Sequence, residues 1–499
     1  MVRLNNATLK TLETPIDQPS YDRSQLQTGI VHLGVGAFHR AHQAAYTDAL
    51  LNLQLPDWQS WGITGVSLRS PAVRDQMHAQ DGLYIVVERG AGGEKLRIMG
   101  PITEVLIAAQ DREHILSLMA ATATKIITIT VTEKGYCHDP GSGNLNFSHP
   151  QIVADLQNPT APQTCVGFIV AALARRKSQG LASFTVLSCD NLPDSGGLIR
   201  NIAIQFAERI DPSLAQWIAE NTAFPNAMID RIVPATTDEA RAALQQQLTL
   251  RDEAMVVTES FNQWVIQDTF CNGRPAWEKV GVLMVDDVAP YKALKLRLLN
   301  GSHSLIAYTG FLAGYETVSE AMSDKNLRQL CGLFMDRDAG ETVLAPEGFN
   351  LEEYKKQLIE RFSNPGLKHR TAQIAMDGSQ KIPQRILPPL RQQLSATGNN
   401  HVQILCLALA AWLRFCAGVD QHGGTYSLND PLEDKLKRLC DLQKDSSEVV
   451  DDVFALPEIF GDDRDYLQAV KSNVVFWLDN FKRRGVLLTL AEGLPYVAE

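Results

Sequence analysis

No Cys-x-x-Cys pair occurs in the 499 residues, although eight cysteines are scattered from Cys137 to Cys440. Isolated thiols argue against a disulfide frame or a zinc knuckle and fit a reducing compartment. Basic residues are in deficit: 46 Lys+Arg against 57 Asp+Glu leave a formal net charge of −11. That balance argues against a nucleic-acid or anionic-membrane partner, since either would want a basic face. It leaves room for a local basic pocket around an anionic ligand. Long apolar runs are also missing. The longest, Val402 to Leu413, is broken by Gln403 and is too short to span a bilayer. The N-terminal stretch has no apolar h-region, so no secretory signal is expected and the cytoplasm is the default location. Neither an internal repeat nor a low-complexity segment is present.

What remains is ordinary globular material, 45% hydrophobic and 21% charged, able to bury a large core. The length predicts two to four domains, or two large ones. Residues 1–28 read as a polar surface lead-in. Strand-like runs follow at Ile30–Leu33, Gly62–Leu68, Tyr84–Glu88, Lys125–Thr132, Phe184–Ser188, Met255–Thr258 and Val280–Val285. Several are continuous Ile/Val/Thr runs, as expected when helices cover both faces of a parallel sheet. Helical patterns alternate with them at 38–51, 111–121, 167–179 and 195–208. Glycine-rich stretches at 90–93 and 139–143 read as loops. After about Asp287 strand signals nearly vanish. Helices are expected at 289–314, 316–339, 351–363, 384–394, 401–417, 430–443, 447–459 and 464–482. The expected fold is α/β: a Rossmann-type doubly wound sheet over residues 1–287, then a mostly α-helical domain over 288–499.

Strand Ile30–Leu33 runs into Gly34-Val35-Gly36-Ala37-Phe38-His39. Gly34 and Gly36 match the opening of a dinucleotide fingerprint: one permits the tight turn, the other the approach of a pyrophosphate to the next helix. His39 stands where the third glycine usually falls. The second strand ends at Ser67-Leu68-Arg69, without the carboxylate that usually holds the ribose. Arg69 reads either as a solvated side chain or as a group that tolerates a 2′-phosphate or stacks on adenine, so NAD and NADP both stay open. Ligands in such sheets lie beyond the carboxyl ends of the strands. Thr132 and Glu133 end one strand, and Asp190-Asn191 follow another. Each reads equally as strand-end polarity or as part of a nicotinamide site.

The segment PYKALKLRLLNGSHSLIAYTG carries Lys295, Asn300 and His303 on an otherwise apolar helix. At 100° per residue, Asn300 lies about 140° and His303 about 80° round from Lys295, on one broad face. Such groups are costly to bury without partners or a purpose. Oxidation of a secondary alcohol needs a base, donors for the developing alkoxide and a dry slot. Lys295, with like-charged Lys292 three residues earlier, fits a lysine base of lowered pKa. Asn300 and Asn191 fit the alkoxide donors, and His303 a donor or orienting group. Tyr291 has the four-residue spacing of a tyrosine–lysine pair and reads as incidental.

Lys-x4-Asn-Gly-x-His resembles the catalytic motif of the polyol-specific long-chain dehydrogenases, the mannitol dehydrogenase family. Phe224 to Pro234 (FPNAMIDRIVP) resembles that family's signature, with Ile229 in place of the usual valine. Ile30 to Gln43 resembles its cofactor loop, and Ser188–Asn191, Gln263–Val265 and Gly273–Pro275 also fit. The likeness runs from about residue 20 to about residue 490. It implies an NAD(P)-dependent dehydrogenase without a catalytic metal. Lys295 would be the base, Asn191 and Asn300 the oxyanion pair, and His303 and Asp230 substrate contacts. Gly34, Gly36, Phe38, Arg69, Thr132 and Glu133 are the expected cofactor residues. Lys292 departs from the family, where that position is often acidic.

Residues 361–385 resemble the fructuronate reductase (D-mannonate oxidoreductase) branch, with Gln373 where mannitol enzymes carry arginine. A hexuronate carboxylate needs cations or N–H donors. Lys368, His369, Arg370, Lys381 and Arg385 read either as surface charges on a helix and turn or as a local basic cluster, of which Lys381 and Arg370 are the expected substrate ligands. The expected partner is a small sugar acid or polyol, and the expected state a monomer or weak homo-oligomer. A mannitol or arabinitol 2-dehydrogenase, or a non-catalytic dinucleotide-binding protein, are the alternatives.

Overall fold

Strands rich in Val, Ile and Thr bury both faces, and the sheet at the centre of the first unit is built from them. The computed structural model describes residues 2–10, 16–90, 92–397 and 402–498. Residues 1 and 11–15 of the expected lead-in, Ala91 of the glycine stretch and His401 at an expected helix start lie outside the described residues. The central sheet has five strands: β1 (Thr28–Leu33), β2 (Gly62–Ser67), β3 (Ile102–Ile107), β4 (Ile126–Ile129) and β5 (Thr185–Ser188). Their spatial order is β3-β2-β1-β4-β5 and every neighbouring pair is parallel. This is the Rossmann order through its fifth strand. β2, β4 and β5 are buried at every position.

Three expected strands lie elsewhere. Tyr84–Gly90 forms an antiparallel hairpin with Gly93–Met99 and pairs in parallel with Val256–Glu259, in a separate three-stranded sheet. Leu283–Val285 joins Gln263–Gln267 and Ala227–Asp230 in another. Periodicity reports a buried extended run, not the sheet it joins. β3 was not expected. It is an edge strand whose middle, Thr103 to Val105, is not buried, so its sequence lacks the continuous apolar run. The expected 38–51 helix is two helices, Ala37–Ala41 and Gln43–Asn52, because His42 leaves helical geometry at φ −110°, ψ −86°.

The chain divides into two compact units, Met1–Val288 and Ala289–Glu499. The second is helical. Every residue from Ile404 to Cys416 is buried, so this apolar helix is the unit's centre. Its start is satisfied by Asp338, whose Oδ2 accepts the N–H groups of Ile404 (2.8 Å) and Leu405 (3.0 Å). Two expected helices are interrupted. The 289–314 pattern is Ala289–Leu294, a π-helical turn Lys295–Asn300, and Gly301–Leu312. The 316–339 pattern breaks at Asp324, which caps Lys325–Leu333, and then becomes π-helical over Phe334–Asp338. Among the described residues no helix is long and apolar enough to cross a membrane.

Candidate active site

Gly34 terminates β1 at φ +101°, and a Cβ there would sit 1.9 Å from the Thr130 carbonyl oxygen. Only glycine suits that crossing of β1 and β4. At Gly36 the nearest obstacle to a Cβ is the Gly34 oxygen at 3.8 Å, so this second glycine leaves open space before the Ala37–Ala41 helix. A loop that turns back sharply and then presents bare backbone fits a pyrophosphate. Phe38 stacks on His42 at 5.0 Å. Arg69, Thr132, Glu133 and Asn191 are exposed beyond the carboxyl ends of β2, β4 and β5. They therefore stand where ligands of such sheets bind.

His39 does something the fingerprint does not require. Its ring lies flat on His32 of β1, with centroids 3.4 Å apart and planes 13° apart. His32 Nδ1 pairs with Thr128 Oγ1 at 2.8 Å, and His39 Nδ1 with Gln43 Oε1 at 2.9 Å. Burial pushes His32 down to about 3 and His39 well below the ordinary histidine value. The two rings are a neutral stacked pair joining the helix after the glycine loop to the strand before it.

Asp230 is buried at the end of its strand, opposite Gln263. Next to it, buried Arg231 bonds the Ala41 carbonyl, the Glu259 carbonyl (2.9 Å) and the Glu88 carboxylate (2.7 Å). The family-like segment is thereby tied to the end of the first helix after the glycine loop. Nothing in the sequence pattern marked Arg231 for that task.

In the second unit the site is a π-helical turn. Its register is i to i+5: the Gly301 N–H donates to the Leu296 carbonyl. The wheel drawn at 100° per residue therefore does not hold over Lys295–Asn300. Lys295, Asn300 and His303 are all buried. Asn300 Nδ2 is buried and meets no hydrogen-bond acceptor in the structure. A buried donor left unpaired costs about 1–3 kcal/mol. The glycine of the motif is steric: a Cβ on Gly301 would lie 2.9 Å from Phe334 Cζ. Phe334 opens the second π-helical turn, so the two irregular turns meet at this point.

His303 packs against Phe362 (4.6 Å between ring centroids) and edge-on to His369 (5.4 Å, 88°). Burial, then the nearness of His369, Arg361, Arg385 and Lys295, holds His303 well below the usual imidazole value. Burial and Lys381 bring His369 down to about 4. Both imidazoles are neutral near pH 7. The Gly378–Arg385 helix supplies the cations, four residues apart on one face. Lys381 donates to the Ile374 carbonyl at 3.1 Å. Burial, then Arg385, lowers it to about 8, against the pull of Asp377 and Asp430. Arg385 reaches Ser304 Oγ at 3.1 Å and the Asn300 carbonyl at 3.4 Å. That helix is anchored by Asp430, which accepts the Ser379 N–H at 2.7 Å and hydroxyl at 2.6 Å.

Of the expected basic cluster, His369 and Arg385 lie beside His303, and Lys381 lies beside His369. Lys368 and Arg370 are exposed. Arg370 lines a separate depression with Phe311, Tyr315 and His422. Arg361 and Phe362 join the cluster unforeseen. Both end an amphipathic helix, Leu351–Phe362, where an arginine ordinarily reads as solvated.

Both parts of the chain match family models: the mannitol dehydrogenase Rossmann domain over residues 28–279 and the mannitol dehydrogenase C-terminal domain over 287–478. The chain belongs to the mannitol dehydrogenase family. It is an oxidoreductase of that family. D-mannonate oxidoreductase of Escherichia coli (strain K12) is 45% identical over 454 residues, 90% of this chain and 92% of that one. Mannitol 2-dehydrogenase of Phaeosphaeria nodorum is 39% identical, over 98% of this chain and 85% of that one. Among solved structures, the ternary complex of Pseudomonas fluorescens mannitol 2-dehydrogenase with NAD and D-mannitol matches at TM-score 0.87 and 37% identity. It covers 99% of this chain and 100% of that one.

Proposed function

We propose that this enzyme interconverts a secondary alcohol and a ketone on an acyclic six-carbon sugar acid, D-mannonate and D-fructuronate, with NAD. The observation that carries the reading is the set of side chains that runs from buried Asn300 and His303 to half-buried His369, Lys381 and Arg385. Arg385 reaches the carbonyl of Asn300, whose amide donor is unpaired, and of the two neutral imidazoles nearby the second lies beside Lys381, in an otherwise acidic protein. Neutral donors suit a hydroxylated chain, and cations suit a carboxylate.

Bound NAD supplies the acceptor for the hydride. Gly34, Gly36, Phe38, Arg69, Thr132 and Glu133 would hold it. Lys295 in its uncharged form takes the hydroxyl proton. Asn300 and Asn191 donate to the oxygen as negative charge develops there. His303, held neutral, donates to a substrate oxygen without adding a second positive charge beside Lys295. Asp230 accepts from a substrate hydroxyl. Lys381 binds the carboxylate in this proposal. Arg370, exposed and in a separate depression, is an outer contact at most.

A second reading, oxidation of D-mannitol to a ketose, is supported by the match to a mannitol 2-dehydrogenase over nearly the whole chain. Initial rates with D-mannonate and D-mannitol, each with NAD and NADP, separate the two. The sugar-acid reading expects kcat/KM at least tenfold higher for D-mannonate. Turnover of mannitol alone would overturn it.

A further inference from the structure

Thr132–Glu133 and Asn191 leave neighbouring parallel strands, and the sheet ladder stops before it reaches them. Its last rungs are Thr130 N–H to the Leu33 carbonyl (2.9 Å) and Cys189 N–H to the Ile129 carbonyl (2.8 Å). One residue further, the Val131 N–H is taken by a side chain. Both oxygens of Asp190 accept it, at 3.0 and 3.1 Å. Asp190 Oδ2 also accepts the Tyr136 hydroxyl at 2.5 Å, and that phenol oxygen lies 2.6 Å from Ser188 Oγ. Val131 and Tyr136 flank the short turn that carries Thr132 and Glu133. One carboxylate therefore grips that turn at both ends, while its own backbone leads directly into Asn191.

The choice of a carboxylate is costly. Asp190 is set among Tyr136, Cys165 and Cys189, whose own ionisation its charge opposes. Burial raises it to about 7, with the Tyr136 and Val131 hydrogen bonds opposing. Packing alone would be served as well by an apolar side chain of that size. A short two-armed acceptor is what spans the gap between the two strand ends.

We propose that Asp190 is a positioning residue that fixes Asn191 relative to Thr132–Glu133, joining two separate loops into one rigid platform. This rests on the reading that Asn191 holds the alkoxide oxygen. The test is a mutant cycle on the full-length enzyme with NAD and its better sugar substrate, reading kcat, both KM values and thermal unfolding. Asn191→Ala is expected to lower kcat about 100-fold or more. Asp190→Asn is expected to lower kcat about 10- to 100-fold with the sugar KM within about threefold. Tyr136→Phe, which removes one arm, shows the same pattern more weakly. The Asp190→Asn/Asn191→Ala double variant stays within about threefold of Asn191→Ala, because the first residue acts through the second. If Asp190→Asn does not fold, Tyr136→Phe and its double with Asn191→Ala carry the same comparison. Wild-type kcat in folded Asp190→Asn and in Tyr136→Phe, beside a crippled Asn191→Ala, would overturn the role of Asp190 alone. Losses that multiply in the double variant would do the same. Wild-type kcat in Asn191→Ala would overturn the site reading and the positioning role together.

Discussion

The rings of His303 and His369 meet edge-on, 5.4 Å apart at 88°, and burial keeps both uncharged beside Lys381 and Arg385. A histidine whose folded pKa is depressed favours the fold above its unfolded value of about 6.5. Below that, the unfolded chain binds a proton that the folded chain refuses, so stability falls with pH until the folded pKa is passed. For His369 the window runs from about 6.5 to about 4. Replacing His369 with asparagine removes up to one such proton, about 1.4 kcal/mol per pH unit. Thermal unfolding between pH 4 and 7 should therefore decline less steeply in the variant. An unchanged acid limb would show that His369 is not held neutral.

Lys381, brought down to about 8, is cationic below that pH and neutral above it. The KM for a sugar acid should rise as pH passes 8, while the KM for a neutral polyol stays flatter. Lys381→Met should raise the sugar-acid KM about 10- to 100-fold, the worth of one charge-assisted hydrogen bond. Equal effects on acid and polyol would remove Lys381 as the carboxylate ligand.

The two glycines of the nucleotide loop should separate folding from binding. Gly34→Ala meets the Thr130 oxygen and needs φ +101°. The backbone conformation alone costs about 1–3 kcal/mol, and the overlap adds to it, so a strongly lowered Tm is expected. Gly36→Ala has room and should fold with a near-normal Tm but bind NADH more weakly in a fluorescence titration. The reverse order of effects would contradict the role given to each.

Gly301→Ala should disturb the π-helical turn through Phe334. The added methyl lies 2.9 Å from a buried ring, an overpacking worth about 1–3 kcal/mol. It should lower kcat as well, because Asn300 and His303 flank it. Phe334→Leu in the same chain should recover part of both losses. No recovery would place the glycine's importance elsewhere.

Much of this was legible in the residues, and the failures have causes. Continuous apolar runs exposed β1, β2, β4 and β5, while the half-exposed edge strand β3 had none to show. Gly34 was legible because a strand runs into it. The use of His39 was not, since its partner His32 sits on the preceding strand and no spacing rule links the two. The polar residues Lys295, Asn300 and His303 were legible as a group, but the π-helical register that sets their directions was not, nor was the close approach of Gly301 to Phe334 across more than thirty residues of chain. Arg370 and Lys381 were both expected as substrate ligands. Only the fold puts one in solvent and the other beside His369.

Buried Lys295 is the proposed base for the substrate proton. The direct measurement is kcat of Lys295→Ala at neutral pH, with NADH binding followed in parallel. A fall of about 10³-fold or more is expected, since a positioned base contributes about 10²–10⁴, with NADH binding unchanged. A variant that binds NADH normally and keeps kcat within tenfold of wild type would contradict it.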